Sequence, residues 1–303
     1  MRSRNQVKGH LAAFFTIFVW GITYISTKVL LLSFTPIEIM FFRLALAVLA
    51  LSIVNPPKLQ HSEAKHTFLQ DEWKPMLAGF FGVTLYFILQ NTALSHTLAA
   101  NVSVLISIAP LLIALLGRIV LRTGLKRSFF IGFFTAMAGI ILIAYNGRFV
   151  LKLNPIGDLL SLLAALVWAA YSIIIKSINT PQYTLLNLTR KIFSYGFLFL
   201  LPVLPFFNIR LDWEQFLSIP NMLNLIFLGV VASAVCFATW NYAVQVLGPV
   251  TTSIYIYLGP VITIITSALV LQESITHVAG IGMALILAGM VLSERGKIGQ
   301  SNN

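Results

Sequence analysis

Ten runs of roughly twenty apolar residues divide the chain, at about 10–31, 36–54, 75–94, 98–119, 128–146, 156–176, 187–207, 221–245, 250–271 and 277–293. A helix rises about 1.5 Å per residue, so roughly 20 residues cover a hydrocarbon core about 30 Å thick. Each run is long enough to cross. The longest polar gap, NPPKLQHSEAKHTFLQDEWK at 55–74, is too short for a domain of its own. The pattern predicts an all-α polytopic membrane protein with ten transmembrane helices.

Composition agrees. Hydrophobic residues make up 58% of the 303 and charged residues 10%, against about a quarter charged in a soluble domain. Mean hydropathy is +0.90. The net charge of +11 does not read as a nucleic-acid surface, because the basic residues sit mainly at the ends of the apolar runs instead of gathering on one face. With the N-terminus in the cytoplasm, fifteen of the twenty Lys and Arg fall at inner ends. Lys28, Arg148, Lys152 and Arg210 fall at outer ends, and Arg43 lies within a span. Positive residues are retained on the cytoplasmic side, so both termini are expected there. Arg2, Arg4 and Lys8 before an apolar run resemble a secretory leader, but the run continues to Lys28 with no small-x-small cleavage site. An uncleaved first span is expected. Cys236 is the only cysteine, which excludes an intramolecular disulfide.

The chain also repeats itself. Residues 86–117 lie over 236–267 at an offset of 150, so Asn91 falls on Asn241 and Pro110 on Pro260. The same offset pairs Gly132 with Gly282 and Gly139 with Gly289. Upstream, an offset of 148 pairs Trp20 with Trp168, Lys28 with Lys176 and Arg43 with Lys191. Two units are therefore expected, 1–146 and 147–303. Each holds five spans, an odd number, so the second enters the membrane inverted. Inverted repeats let two halves exchange conformations around a substrate held near the midplane. A duplicated channel would carry the same repeat, so repetition favours transport without proving a cycle.

The strings that carry the repeat are GHLAAFFTIFVWGITYISTK, TPIEIMFFRLALA and QNTALSHTLAANVSVLISIAPLLIALLG, then GDLLSLLAALVWAAYSIIIK, NYAVQVLGPVTTSIYIYLGPVITIITSALVLQESIT and GIGMALILAGMVL. Their order resembles the drug/metabolite transporter superfamily, EamA type, over about 9–294. The resemblance implies movement of small metabolites, commonly amino acids and their analogues, through a central cavity between the halves, in a bacterial inner membrane. It does not name the substrate. The family often carries a Glu after the fourth and ninth spans. Glu273 fits, whereas Thr123 stands at the first copy, so the position is read as structural.

Polar and aromatic groups deep in spans need partners or a wet cavity. Span one carries Trp20, Thr23, Tyr24 and Thr27 at i, i+3, i+4 and i+7, on one helical face. Span six repeats this with Trp168, Tyr171 and Ser172. Gln90 and Asn91 on span three correspond to Trp240 and Asn241 on span eight, and spans four and nine add Asn101 and Tyr255. These twelve residues, without Thr27, form the expected substrate-binding set. Aromatic walls with neutral hydrogen-bonding groups suit a zwitterion or a flat organic ligand. Ser, Thr and Asn also bind membrane helices together, and aromatic residues collect at the water interface. Trp20 and Trp168 lie too deep for an interfacial belt and are the strongest candidates. Pro110 and Pro260 each free a carbonyl one turn earlier, as hinges or as static kinks. Gly132, Ala136 and Gly139, with Gly282, Ile286 and Gly289, form small-residue faces for packing spans five and ten. Arg43 is the deepest charge. It either attracts an anionic group of the substrate or anchors span two through Glu38, and anchoring is the expectation.

Enzyme chemistry is not indicated. The chain has no H-E-x-x-H pair, no two facing intramembrane aspartates and no glycine-rich phosphate loop, and His10, His61, His66, His96 and His277 lack metal-ligand spacing. No cofactor or metal is expected. Glu38, Asp158 and Glu273 fall near outer ends of spans, which predicts exchange or uniport without an obligatory buried carboxylate. The expected function is transport of a small organic molecule, an amino acid or an amphipathic metabolite or drug, outward across an inner membrane by alternating access. An uptake permease, a lipid flippase and a membrane interaction protein that moves nothing are the alternatives. The partners are the solute and the lipid bilayer, without nucleic acid; monomer and homodimer both stay open.

Overall fold

The computed structural model describes residues 2–56, 72–97, 99–122, 124–125, 127–145, 154–178, 184–207, 213–271 and 277–295. Helices alone occur among them. We number them α1 to α10, merging consecutive pieces. In the first unit α1 is Arg2–Leu30, α2 is Pro36–Val54, and α3 runs from Trp73–Gly79 through a π-helical stretch, Phe80–Leu85, into Tyr86–His96. There α4 comprises Ala99–Ile106 and Ala109–Val120, and α5 is Arg127–Tyr145. In the second unit α6 is Pro155–Ser177 and α7 is Leu185–Leu200, closed by a 3-10 turn, Leu201–Phe206. Next, α8 runs from Ile219–Ile226 through π-helical Phe227–Val235 into Cys236–Leu247. Last come α9, made of Pro249–Ser253, 3-10 Ile254–Tyr257 and Leu258–Leu271, and α10, His277–Arg295.

Sequence chemistry sets several of these starts. Pro36 opens α2 behind the N-cap Thr35, which forms a capping box with Glu38. Asn154 caps α6 by accepting from the Gly157 amide, and Thr184 caps α7 through the Asn187 amide. Each cap satisfies a backbone donor that the first turn leaves without a partner.

Among the described residues seven helices are long and apolar enough to cross a membrane: α1, α2, α3, α4, α6, α8 and α10. The other three expected spans are represented by shorter continuous pieces. Arg127–Ile143 is a shorter apolar helix, α7 has 16 residues, and the last piece of α9 has 14. Large apolar side chains such as Phe14, Phe18, Leu49, Ile119, Phe134 and Leu269 stand exposed on the outside of the bundle, as lipid contact requires.

The packing repeats with the units exchanged. α1 lies on α8 and α9, while α6 lies on α3 and α4; α2 packs on the π-helical stretch of α8, and α7 on that of α3. Helices α5 and α10 pack on each other through the small faces read from sequence. A Cβ at Gly132 would sit 2.3 Å from the Ser293 amide nitrogen, and one at Gly289 would sit 2.4 Å from that of Ala136. These backbones approach at a distance only glycine permits.

Two features modify the predicted straight rods. The two π-helical stretches fall at corresponding places, since 80–85 maps onto 230–235 at the offset of 150. The prolines, expected to bend continuous helices, instead stand in the first turn of a new piece. Pro110 follows a turn at Ser107 and Ile108, and Pro260 follows the 3-10 segment. Proline is tolerated there because no earlier carbonyl needs its missing N–H.

Candidate substrate cavity

A cavity of about 650 Å³, including its open mouth, lies where the two units meet. Helix α1 contributes Ile17, Trp20, Gly21, Thr23 and Tyr24, and α2 contributes Arg43. Tyr86, Phe87 and Gln90 come from α3, and Ser103, Ile106 and Ser107 from α4. The second unit adds Trp168 of α6, Phe237 of α8, and Ile256, Gly259 and Pro260 of α9.

One wall is aromatic. The Trp20 and Trp168 rings meet edge to face with centroids 5.3 Å apart, and both pack on Phe237 at 5.4 and 5.7 Å. Tyr86 lies 5.0 Å from Trp168. Trp240 packs against both tryptophans, at 5.2 and 5.7 Å, and is fully buried. The indole Nε1 of Trp20 donates to the Ala232 carbonyl at 2.8 Å. That carbonyl belongs to the π-helical stretch of α8, where the helical ladder is displaced and an acceptor becomes available.

The polar lining is uncharged except for Arg43. Thr23 Oγ1 donates to the Trp20 carbonyl at 2.7 Å, and Ser107 Oγ to that of Ser103 at 2.7 Å, so both hydroxyls are spent within their own helices. Arg43 is 4% exposed. Its Nε donates to Ser233 Oγ on α8 at 2.6 Å, and its guanidinium carbon stands 4.1 Å from the centroid of the Phe87 ring. The anchoring partner expected from sequence is occupied elsewhere: a Glu38 carboxylate oxygen accepts from the Thr35 amide at 2.8 Å. Among the described residues no carboxylate lines the cavity.

Of the twelve residues singled out from sequence, Trp20, Thr23, Tyr24, Gln90 and Trp168 line the cavity. Six others lie outside the lining. Asn91 Nδ2 donates to the Pro36 carbonyl at 3.4 Å. The Tyr171 hydroxyl donates to Asn241 Oδ1 at 2.6 Å, and Asn241 Nδ2 donates to Thr189 Oγ1 at 3.2 Å. Ser172 donates to the Trp168 carbonyl at 2.9 Å, Tyr255 pairs with His10 Nδ1 at 2.8 Å, and Trp240 only packs. Asn101 belongs to α4, with its side chain outside the described residues; Thr123 and Glu273 lie outside them altogether. Pro260 lines the cavity and Pro110 does not. Tyr86, Phe87 and Phe237 were not read from sequence. The signal existed, because 86 and 87 stand four and three residues before Gln90, on the same helical face.

A second depression, between α2, α7 and α8, is lined by Leu51, Val54, Leu186, Val235 and other apolar residues, with only Thr239 and Tyr242 carrying polar atoms. It offers little to orient a polar solute.

Apolar helices enclosing a mixed aromatic and polar cavity, where two repeated units meet, define a membrane transporter. Residues 7–145 and 155–294 each match the EamA-like transporter family, and the chain belongs to that family, within the drug/metabolite transporter superfamily. An uncharacterized transporter of Archaeoglobus fulgidus is 26% identical over 94% of this chain and 97% of its own length. A probable terminal-alkyne amino-acid exporter of Streptantibioticus cattleyicolor is 27% identical, covering 94% of this chain and 93% of that protein. One solved crystal structure superposes with a TM-score of 0.72 at 17% identity, over 97% of each chain, and so shares the fold.

Proposed function

We propose that this chain moves a small organic metabolite, an amino acid or an amphipathic metabolite, out of the cell by alternating access through the cavity between the units. The observation that carries the reading is the cavity itself, with aromatic and neutral polar side chains from both units converging on one site. The units are 1–146 and 147–303, inverted relative to each other. All ten apolar runs cross, and both termini lie in the cytoplasm, as the distribution of Lys and Arg supports. On that topology the lining positions on α1, α3 and α4 lie toward the outside, so the structure represents a state closed toward the cytoplasm. The name of the amino-acid exporter relative supports the substrate class and the direction. Pro110 and Pro260 act as hinges, because Pro110 follows a turn and Pro260 a 3-10 segment, and each stands where the regular helical ladder is already interrupted.

Untargeted metabolomics of medium and cytosol tests this, comparing cells with the intact chain, the Trp20→Ala/Trp168→Ala variant at equal membrane abundance, and an empty vector. A solute enriched outside only with the intact chain is the expected result. Enrichment inside would reverse the direction. Identical profiles for the intact chain and the empty vector would favour a membrane interaction protein that moves nothing.

A further inference from the structure

Arg43 is a buried cation that the cavity's neutral chemistry does not require. Charges within membrane helices are costly, and they persist where they pair or serve a pathway. A guanidinium has five N–H donors and no acceptor. Among the described residues the side chain makes one hydrogen bond, from Nε to Ser233. Its two terminal nitrogens have no protein acceptor there, although the residue is 4% exposed and lines the cavity. The guanidinium carbon lies over the Phe87 ring and Ser233 takes the Nε donor, which leaves the terminal pair of nitrogens for a further ligand. A planar fork of that kind matches a carboxylate in bidentate fashion.

We infer that Arg43 is the anion-docking residue of the cavity, and that the substrate is a carboxylate with an aromatic or branched apolar body. The inference rests on the transport reading for its biological sense. The carboxylate pairs with the guanidinium, and the apolar body packs on Trp20, Trp168 and Tyr86, whose rings form the neighbouring wall. No carboxylate lines the cavity among the described residues, so a cationic solute finds no counter-ion and meets Arg43 instead. Acids are therefore taken and their esters or amines refused. There is one such site and not a symmetric pair, because the counterpart Lys191 sits partly exposed and ion-paired with Glu72.

Three matched probes test the assignment: phenylalanine, its N-acetyl derivative and its methyl ester, titrated into purified protein in lipid nanodiscs and followed by intrinsic tryptophan fluorescence. Both acids give saturable signals, and the ester binds at least about tenfold more weakly, as loss of a bidentate contact requires. Arg43→Gln weakens N-acetylphenylalanine by at least about tenfold and does not weaken the cationic ester, while Arg43→Lys falls between Arg43→Gln and the intact protein for the acid. A purely structural Arg43 would change thermal stability without changing the order of the probes. An ester that titrates like the acids, unchanged acid affinity in Arg43→Gln, or no saturable response to any probe would overturn the inference. Should Arg43→Gln fail to fold, the three probes on the intact protein decide alone. Liposome counterflow of labelled N-acetylphenylalanine separates the two readings. Binding without counterflow keeps the anion site and removes transport, whereas equal counterflow of acid and ester keeps transport and removes the anion site.

Discussion

The two units present corresponding residues in opposite conditions. In the first, Thr23, Tyr24, Tyr86 and Gln90 line a cavity. Their counterparts at offsets of 148 and 150 are Tyr171, Ser172, Cys236 and Trp240, and these are 0%, 1%, 0% and 0% exposed. The closed half is tightly packed, with the Trp240 indole N–H buried without a hydrogen-bond partner. Tyr171, Asn241 and Thr189 form a hydrogen-bonded chain, and the indole of Trp240 fills the volume where the first unit carries Gln90. Polar ties between the units reinforce that side. Lys74 donates to the Ser177 carbonyl at 2.7 Å, Arg190 donates to that of Asn55 at 2.8 Å, and Glu72 receives both Lys191 and Tyr195. A repeat in sequence is thus not a symmetry of state. The asymmetry has two possible sources, the differing side chains and the conformation, and mutations separate them.

The largest effect comes from contrasting Trp240→Ala with Gln90→Ala. Removing a fully buried indole leaves a large cavity and costs about 3–5 kcal/mol, whereas truncating a side chain that faces the open cavity costs below about 1 kcal/mol. Thermal unfolding of both variants in nanodiscs measures the difference. Equal losses would mean that the second unit's half is not the packed one.

Tyr171→Phe comes next. It leaves the Asn241 oxygen without its donor in a buried network, at a cost of about 1–2 kcal/mol. Ser253, fully buried, corresponds to Ser103 in the cavity wall. In a Cys236→Ser background, thiol labelling of Ser253→Cys rises in the Tyr171→Phe variant, while labelling of Ser103→Cys from the opposite face falls. Labelling that rises at both positions would indicate general loosening and not an exchange of open halves.

How much of this was legible varies by element. The helical runs and the repeat were readable because apolar length and residue identity at a fixed offset survive in one dimension. The π-helical stretches were not, since FFGVTL and FLGVVASAV carry no composition that separates a displaced hydrogen-bond ladder from a regular one. Yet they matter. Gly82 admits the Tyr171 ring where a Cβ would come within 2.1 Å, and Ser233 holds Arg43. Trp20 and Trp168 stood out because a tryptophan deep in a span is conspicuous. Phe87 and Phe237 were lost among 23 phenylalanines. Tyr171, Ser172 and Asn241 stand out in sequence only through their correspondence to the first unit. Pattern alone reports equivalence of position, and it carries no information on which half is open.

The smallest effect separates stability from state. The Lys191–Glu72 ion pair is partly exposed, 28% and 14% by side chain, so solvent screens it. Lys191→Gln costs below about 1 kcal/mol of stability, because the loss of Coulomb attraction is offset by regained side-chain freedom. Its position gives it leverage beyond that figure. The pair joins the second turn of α7 to the segment just before α3, across the two units and on the closed side. An equilibrium between open and closed halves needs only about 1.4 kcal/mol to shift its population ratio tenfold. In Lys191→Gln, labelling at Ser253→Cys therefore rises measurably while the unfolding temperature hardly moves. A variant that changes neither would show that this tie is decorative and that the closed half is held by Trp240, the Tyr171–Asn241 bond and the remaining ties of Lys74, Arg190 and Tyr195.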